Sequence, residues 1–114
     1  MATFSGTISS TLGPVTAGVQ PIGSSGNAYA CGVTFEISAQ SSLSTIPRKR
    51  AAGNSTTATN CEYKNDATGA IVAAGTAITA NGVYIVNALG EDVELITSAG
   101  TATVVANVQM GRGY

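Results

Sequence analysis

The ionisable side chains of this chain offer little of the chemistry that enzymes use. The sequence contains no histidine, which excludes His-based catalytic triads, zinc–histidine sites and histidine acid–base chemistry. Its two cysteines are too few to build a structural zinc site by themselves. Serines and threonines are abundant, but no Gly-x-Ser-x-Gly elbow and no phosphate-binding glycine motif occurs among them. We therefore expect a protein that is not an enzyme and that uses no cofactor and no metal ion.

Glu91, Asp92 and Glu94 form an acidic cluster near the C-terminal end. Neighbouring carboxylates can perform acid–base chemistry or hold a hard cation. Asp92 and Glu94 would share one face of a predicted strand, whereas Glu91 would not, and no calcium-loop motif is present. We interpret the cluster as an exposed turn that faces the basic segment of a neighbouring copy, with metal binding as the alternative.

Arg48, Lys49 and Arg50 form the matching basic cluster, inside a predicted loop over residues 47–59. Such a cluster can bind an acidic patch on a partner protein, a phosphate or a nucleic acid, or it can simply remain solvated. The net charge of -1 and the lack of aromatic or basic residues around the cluster argue against nucleic acid. The sequence therefore indicates a solvated loop tip, with protein–protein contact as the functional alternative.

Cys31 and Cys61 are compatible with a disulfide bond or with two free thiols. The first residues contain no basic segment followed by an apolar one, so we expect synthesis in a reducing cytoplasm. That expectation favours free, buried thiols. The four tyrosines could form a stacking platform for sugars, but tyrosines scattered in this way more often lie in a core or an interface.

The elements that position these residues are predicted to be β-strands. No segment has apolar residues at helical spacing, and 14 glycines interrupt the chain at short intervals. No apolar run is long enough to span a membrane. Residues 28–38 give the clearest strand, with Val33, Phe35 and Ile37 on its apolar face. We therefore predict an all-β fold, a small antiparallel sandwich or barrel.

The C-terminal half is predicted to continue as an antiparallel meander. A hairpin is expected over residues 61–73, with Gly69 available for a positive φ in its turn. The segment 40–46 is rich in serine and has no clear assignment. The remaining strands are predicted over residues 76–79, 83–88, 93–97 and 101–109, separated by turns at 81–82, 90–92 and 98–100.

The first 27 residues are predicted to form an extended N-terminal arm that precedes a single β domain over residues 28–114. Residues 3–9 fit an edge strand with Phe4 and Ile8 on one side. Pro14 and Pro21 favour extended backbone in the residues before them. The arm is either a loose terminus or a segment ordered on a neighbouring subunit. These four residues, together with the two charge clusters, are the candidate partner contacts.

Two stretches carry a resemblance to a known class of protein. They are residues 76–88 (TAITANGVYIVNA) and 100–105 (GTATVV), set in a charge-poor chain rich in Ala, Gly, Ser and Thr. This style is similar to that of small structural proteins of tailed bacteriophages, and in particular of head decoration (cement) proteins. The resemblance implies a virion protein on the phage head surface, made in the host cytoplasm. Such a protein binds the major capsid protein or other virion proteins, commonly as a homo-oligomer, with a trimer favoured.

Two other classes of function remain open from the sequence. The first is another virion part, namely a tail, baseplate or head–tail joining component. The second is a small carbohydrate-binding or adhesin module. Neither nucleic acid nor a membrane is an expected partner.

Overall fold

A computed structural model describes the backbone of residues 3–9, 19–23, 32–51, 58–87 and 91–109, and the side chains of 32–49, 58–87, 91 and 93–106. All regular structure in these ranges is β-strand, so the predicted antiparallel all-β class is confirmed. No helix in them is long and apolar enough to cross a membrane. The strands are β1 (Thr3–Ser9), β2 (Val19–Gly23), β3 (Gly32–Ala51), β4 (Thr59–Asn60), β5 (Tyr63–Asn65), β6 (Ile71–Val72), β7 (Gly82–Asn87) and β8 (Glu91–Gln109).

The sheet is built around the two longest strands. Its order is β1-β8-β3-β7-β5-β6, and in addition β2 pairs with β8 and β4 pairs with β3. The predicted meander is wrong, because the last strand lies between the first and the third instead of beside β7. The physical reason is length: β3 has 20 residues, and only β8, with 19, offers backbone groups along its whole course.

The β3–β8 ladder bends near its middle. The register shifts between Ser38 and Thr45, where β3 carries extra residues opposite β8. Two of those residues, Ala39 and Ser42, have positive φ angles of 52° and 51°, and Gly100 faces them on β8 with a φ of 75°. Bulges of this kind bend and twist a ladder locally. The bend divides both strands into two halves.

The bend lets the two halves share one core. On β3 the buried positions alternate before and after the bend, from Val33 to Pro47. On β8 the buried positions are odd-numbered before Gly100, as Val93 and Leu95 are, and even-numbered after it, as Val104 is. The predicted apolar face of residues 33, 35 and 37 is confirmed, since all three are at most 1% exposed.

The segment between β4 and β7 joins the two halves. β4 pairs with the C-terminal half of β3, and β5, two residues further on, pairs with β7 beside the N-terminal half. Ile78 adds a second link, because its backbone N–H donates to the carbonyl of Thr45 at 2.7 Å and its carbonyl accepts from the N–H of Thr45 at 3.2 Å. The described sheet is therefore partly closed, as in a small barrel.

Several local assignments from the sequence need correction. Residues 47–51, predicted as a loop, form the end of β3, and β8 runs without interruption through the predicted turns at 91–92 and 98–100. The serine-rich segment 40–46 is the bulged centre of β3. In each case long-range pairing between β3 and β8 outweighs local turn chemistry. The hairpin is confirmed, with β5 paired to β6 and Gly69 at a φ of 74°.

Within the predicted N-terminal arm, the edge strand over residues 3–9 is confirmed. β1 pairs with β8 of the same chain, and β2 pairs with the other half of β8. Pro14, Tyr29 and Cys31 lie outside the described residues. The domain boundary at residue 27 stays a prediction.

The bend predicts a large difference between two glycine substitutions. Gly69 and Gly100 have nearly equal positive φ angles, but a Cβ at residue 69 meets nothing within 4 Å, whereas one at residue 100 overlaps the Ser41 and Ser42 backbone. We expect Gly69→Ala to cost about 1 kcal/mol of unfolding free energy through backbone strain alone. Gly100→Ala should cost several times more, as measured by urea unfolding. Equal losses for the two variants would contradict this description of the bend.

Candidate interaction surfaces

The basic and acidic clusters lie side by side on β3 and β8. The register sets Arg48 opposite Glu94 and Arg50 opposite Asp92. An Nη of Arg48 donates to the Glu94 carboxylate in an ion pair. Next to it, the Lys49 ammonium lies 3.3 Å from a carboxylate oxygen of Glu91.

These ion pairs differ in burial. The Glu94 side chain is only 3% exposed, whereas Lys49 and Glu91 are 33% and 30% exposed. Removing a buried carboxylate from water is costly unless charged and hydrogen-bonded partners compensate it, and Arg48 supplies one. The clusters therefore meet within one chain and are not the separate exposed loop and turn that the sequence indicates. Their role as contacts with another protein stays a prediction.

Cys61 is a free, buried thiol just after β4. Its backbone N–H donates to the carbonyl of Pro47 on β3 at 3.1 Å. Burial raises the pKa of this thiol from 9.0 to about 11, a shift that the nearby Lys49 charge only partly offsets. At neutral pH the thiol is therefore protonated and a poor nucleophile.

The two described tyrosines belong to the core. Tyr84 stacks on Phe35 with ring centroids 5.7 Å apart, and Tyr63 meets Tyr84 edge-on at 5.8 Å. Each hydroxyl donates to a backbone carbonyl, of Thr76 for Tyr63 and of Ala80 for Tyr84. Burial raises the pKa of both phenols. These rings are not available to stack on a sugar, whereas Tyr29 and Tyr114 lie outside the described residues.

The edge strand β1 carries two of the candidate partner contacts. The register sets Phe4 opposite Ala106 and Ile8 opposite Ala102, and both alanines are buried. Pro21, on β2, is opposite Glu94. Within the described ranges β1 pairs only with β8, so no described strand pairs with its other edge.

The outer face of the sheet holds side chains that the sequence analysis did not single out. Ile71 on β6 and Val105 on β8 are the large hydrophobic side chains that stand out as exposed in the described ranges, at 51% and 41%. Glu36 is exposed and Lys64 half-buried on the strands between them. In β3 the alternation of Glu36 with Phe35 and Ile37 is a signal that could have located part of this face. Residues 83–86 of β7 are apolar on both faces and give no such signal.

Comparisons with protein-family models, with curated proteins and with solved structures returned no match to this chain. In the described part of the chain, no three His, Cys, Asp or Glu side chains come together as a metal site would require. Function must therefore be argued from the surfaces just described.

The buried ion pair predicts a strong effect of breaking it. In Arg48→Met the Glu94 carboxylate stays buried without this cation, so the free energy of unfolding should fall by about 3 kcal/mol. The control Lys49→Met breaks the more exposed pair and should cost about 1 kcal/mol or less. Adding Glu94→Leu to Arg48→Met should recover most of the loss. A larger loss in Lys49→Met, measured by urea unfolding, would argue against this assignment.

The raised thiol pKa predicts a pH dependence of stability. The folded protein holds the Cys61 proton more tightly than the unfolded chain, so this contribution is complete below pH 9 and is lost as the pH rises towards 11. In a Cys31→Ala background, unfolding free energy should therefore decline with pH more steeply than in the same background carrying Cys61→Ala. Parallel pH profiles for the two proteins would exclude the predicted shift.

Proposed function

We propose that this protein is a non-enzymatic structural component of a virus particle, and specifically a decoration protein of a tailed-phage head. It would stabilise the head through contacts with the major capsid protein. The observation that carries the proposal is the edge of β1 with which no described strand pairs. The resemblance of residues 76–88 and 100–105 to phage structural proteins supports the same function.

The β1 edge lacks the features with which proteins usually prevent strand addition. Natural edge strands are blunted by lysines, prolines, bulges or very short length. β1 has seven residues, Thr3–Ser9, and its sequence TFSGTIS contains neither a charge nor a proline. Its pairing with β8 is continuous over all seven residues. Such a strand is a suitable template for a segment of a partner protein.

The charge distribution supports a role in close packing. Both described ion pairs join β3 to β8 within the chain, so part of the small charge content is already neutralised internally. The small charge that is left unpaired favours short-range recognition of a partner, by backbone hydrogen bonds and apolar contacts, over long-range electrostatic steering. A protein that binds only the expanded shell then stabilises that shell by mass action.

The proposal predicts that charges on the β1 edge abolish head binding. Purified protein should co-sediment saturably with expanded heads and not with unexpanded ones. The variant Ser5→Lys/Thr7→Lys should bind at least about tenfold more weakly, because lysines on an edge oppose strand addition. Ala67→Lys, in the exposed β5–β6 turn, is the control and should bind normally.

Substitution is a sharper test here than deletion of residues 1–27. That deletion would remove β1 and β2 and leave β8 without two of its partners, so loss of binding could follow from damage to the fold. Circular dichroism of the lysine variant must match that of the parent protein. Undiminished binding by a folded lysine variant would contradict the edge mechanism. Binding confined to tails or to a head vertex would instead support the tail, baseplate or joining alternative.

A further inference from the structure

The sequence of the edge strand β1, TFSGTIS, is complementary to itself. Positions at equal distances from the central Gly6 carry residues of the same type. The matching pairs are Ser5 and Thr7, Phe4 and Ile8, and Thr3 and Ser9. Two antiparallel strands related by a two-fold axis bring together positions that lie at equal distances from that axis. β1 therefore matches a second copy of itself along its whole length when the axis passes at Gly6.

The register with β8 assigns the inner positions of β1. Phe4 and Ile8 are opposite Ala106 and Ala102, and both alanines are buried in the core. Residues that lie opposite each other in a ladder share one face of the sheet. The even-numbered positions of β1 therefore belong to the inner face.

The odd-numbered positions of β1 belong to the outer face, because Ser5 is opposite the exposed Val105. In a two-fold pair centred on Gly6, even-numbered positions meet even-numbered ones and odd-numbered positions meet odd-numbered ones. The inner and outer faces of the two sheets are then continuous. A register slipped by one residue would set every inner position of one copy against an outer position of the other.

The backbone of β1 also suits a second strand. In an antiparallel ladder, alternate residues direct their N–H and C=O groups to opposite sides of the strand. The pairing with β8 is continuous from Thr3 to Ser9, so it uses every other residue of β1. The residues between them direct their backbone groups to the edge with which no described strand pairs. A glycine inside a strand, as Gly6 is, often marks a close approach of another backbone.

We infer that β1 pairs antiparallel with β1 of a second copy of the chain about a two-fold axis at Gly6. The free protein is then a dimer in which one sheet runs through both copies. Phe4 of each copy lies opposite Ile8 of the other, and Ser5 lies opposite Thr7. Apolar pairs and hydroxyl pairs of this kind stabilise antiparallel strands. The contact is isologous and closes at two copies, in place of the trimer that the phage resemblance implies.

This pairing regulates the head contact, and in that respect it rests on the proposed function. A β1 strand that is held by a second copy cannot accept a segment of the capsid protein, so the two contacts exclude each other. The dimer protects an uncharged edge from unspecific strand addition while the protein is free. Heads then compete with the second copy by mass action.

Disulfide cross-linking tests the register of the dimer. Ser5→Cys and Thr7→Cys are made as separate proteins in a Cys31→Ala/Cys61→Ala background and mixed with oxidised glutathione. Directly opposite residues have Cβ atoms about 4.5–5.5 Å apart and diagonal neighbours about 7–8 Å, whereas a disulfide needs about 3.5–4.5 Å. The mixture should therefore form a linked dimer at least about tenfold faster than either protein does alone.

A mixture of Ser5→Cys with Ser9→Cys is the matched control. It has the same number of cysteines at outer positions of the same strand, but these two positions are out of register. It should link no faster than either protein alone. Ser9→Cys mixed with Thr3→Cys is in register and should link as the first mixture does.

Sedimentation equilibrium of the unmodified full chain should show a monomer–dimer equilibrium. A monomer at all concentrations, a trimer, or equal rates of linking in the matched and mismatched mixtures would each overturn the inference. These experiments contain no heads, so their failure leaves the proposed function untouched.

Expanded heads test the regulation separately. The linked dimer should not co-sediment with them until its disulfides are reduced. Undiminished head binding by the linked dimer would overturn the mutual exclusion and the edge mechanism of head binding, whereas the pairing of two copies would stand.

Discussion

The antiparallel pairing of β3 with β8 is the interaction on which the other elements depend. β1 and β2 pair with β8, β4 and β7 pair with β3, and β5 and β6 follow from β7. The two long strands also contribute most of the buried side chains. A chain with few large apolar residues can still enclose a core in this way, because one bent ladder supplies both of its walls. The bulges opposite Gly100 are therefore central to the fold.

The same pairing determines which surfaces remain for partners. It joins Arg48 to Glu94 and Lys49 to Glu91, so four charges of the two clusters are already paired within the chain. In the described part of the chain it leaves the edge of β1 with which no described strand pairs. This edge is the basis of the proposed decoration role.

Local pattern was sufficient for the parts of the fold that depend on local chemistry. Alternation predicted the buried face of residues 33, 35 and 37, and glycine chemistry predicted the turn at Gly69. Pattern failed where distant residues decide the structure. The serine-rich centre of β3 and the parity change at Gly100 reflect register with a strand more than 50 residues away in sequence, as the Thr45–Thr97 hydroxyl pair illustrates. Residues 98–100 also have the composition of a turn, and nothing in the local sequence shows that β8 continues through them.

The candidate interaction surfaces, like the fold, could be predicted from the sequence only in part. The sequence located both charge clusters but could not show that they meet in one chain, because Arg48 and Glu94 are 46 residues apart. Instead it indicated contact with a neighbouring copy. The outer face was missed because Glu36 and Lys64 become neighbours of the same surface only through the order of the sheet. Strand order is set by long-range pairing and is not encoded in any single segment.

The proposed decoration role makes a direct statement about stoichiometry. A protein that clamps a head lattice must be present in numbers comparable to those of the capsid subunits, whereas a joining or tail component is present in only a few copies. The decisive measurement is quantitative mass spectrometry of gradient-purified phage particles against the major capsid protein. A ratio of the same order as the capsid protein is the predicted result. Absence from the particles, or only a few copies in each, would contradict the decoration role.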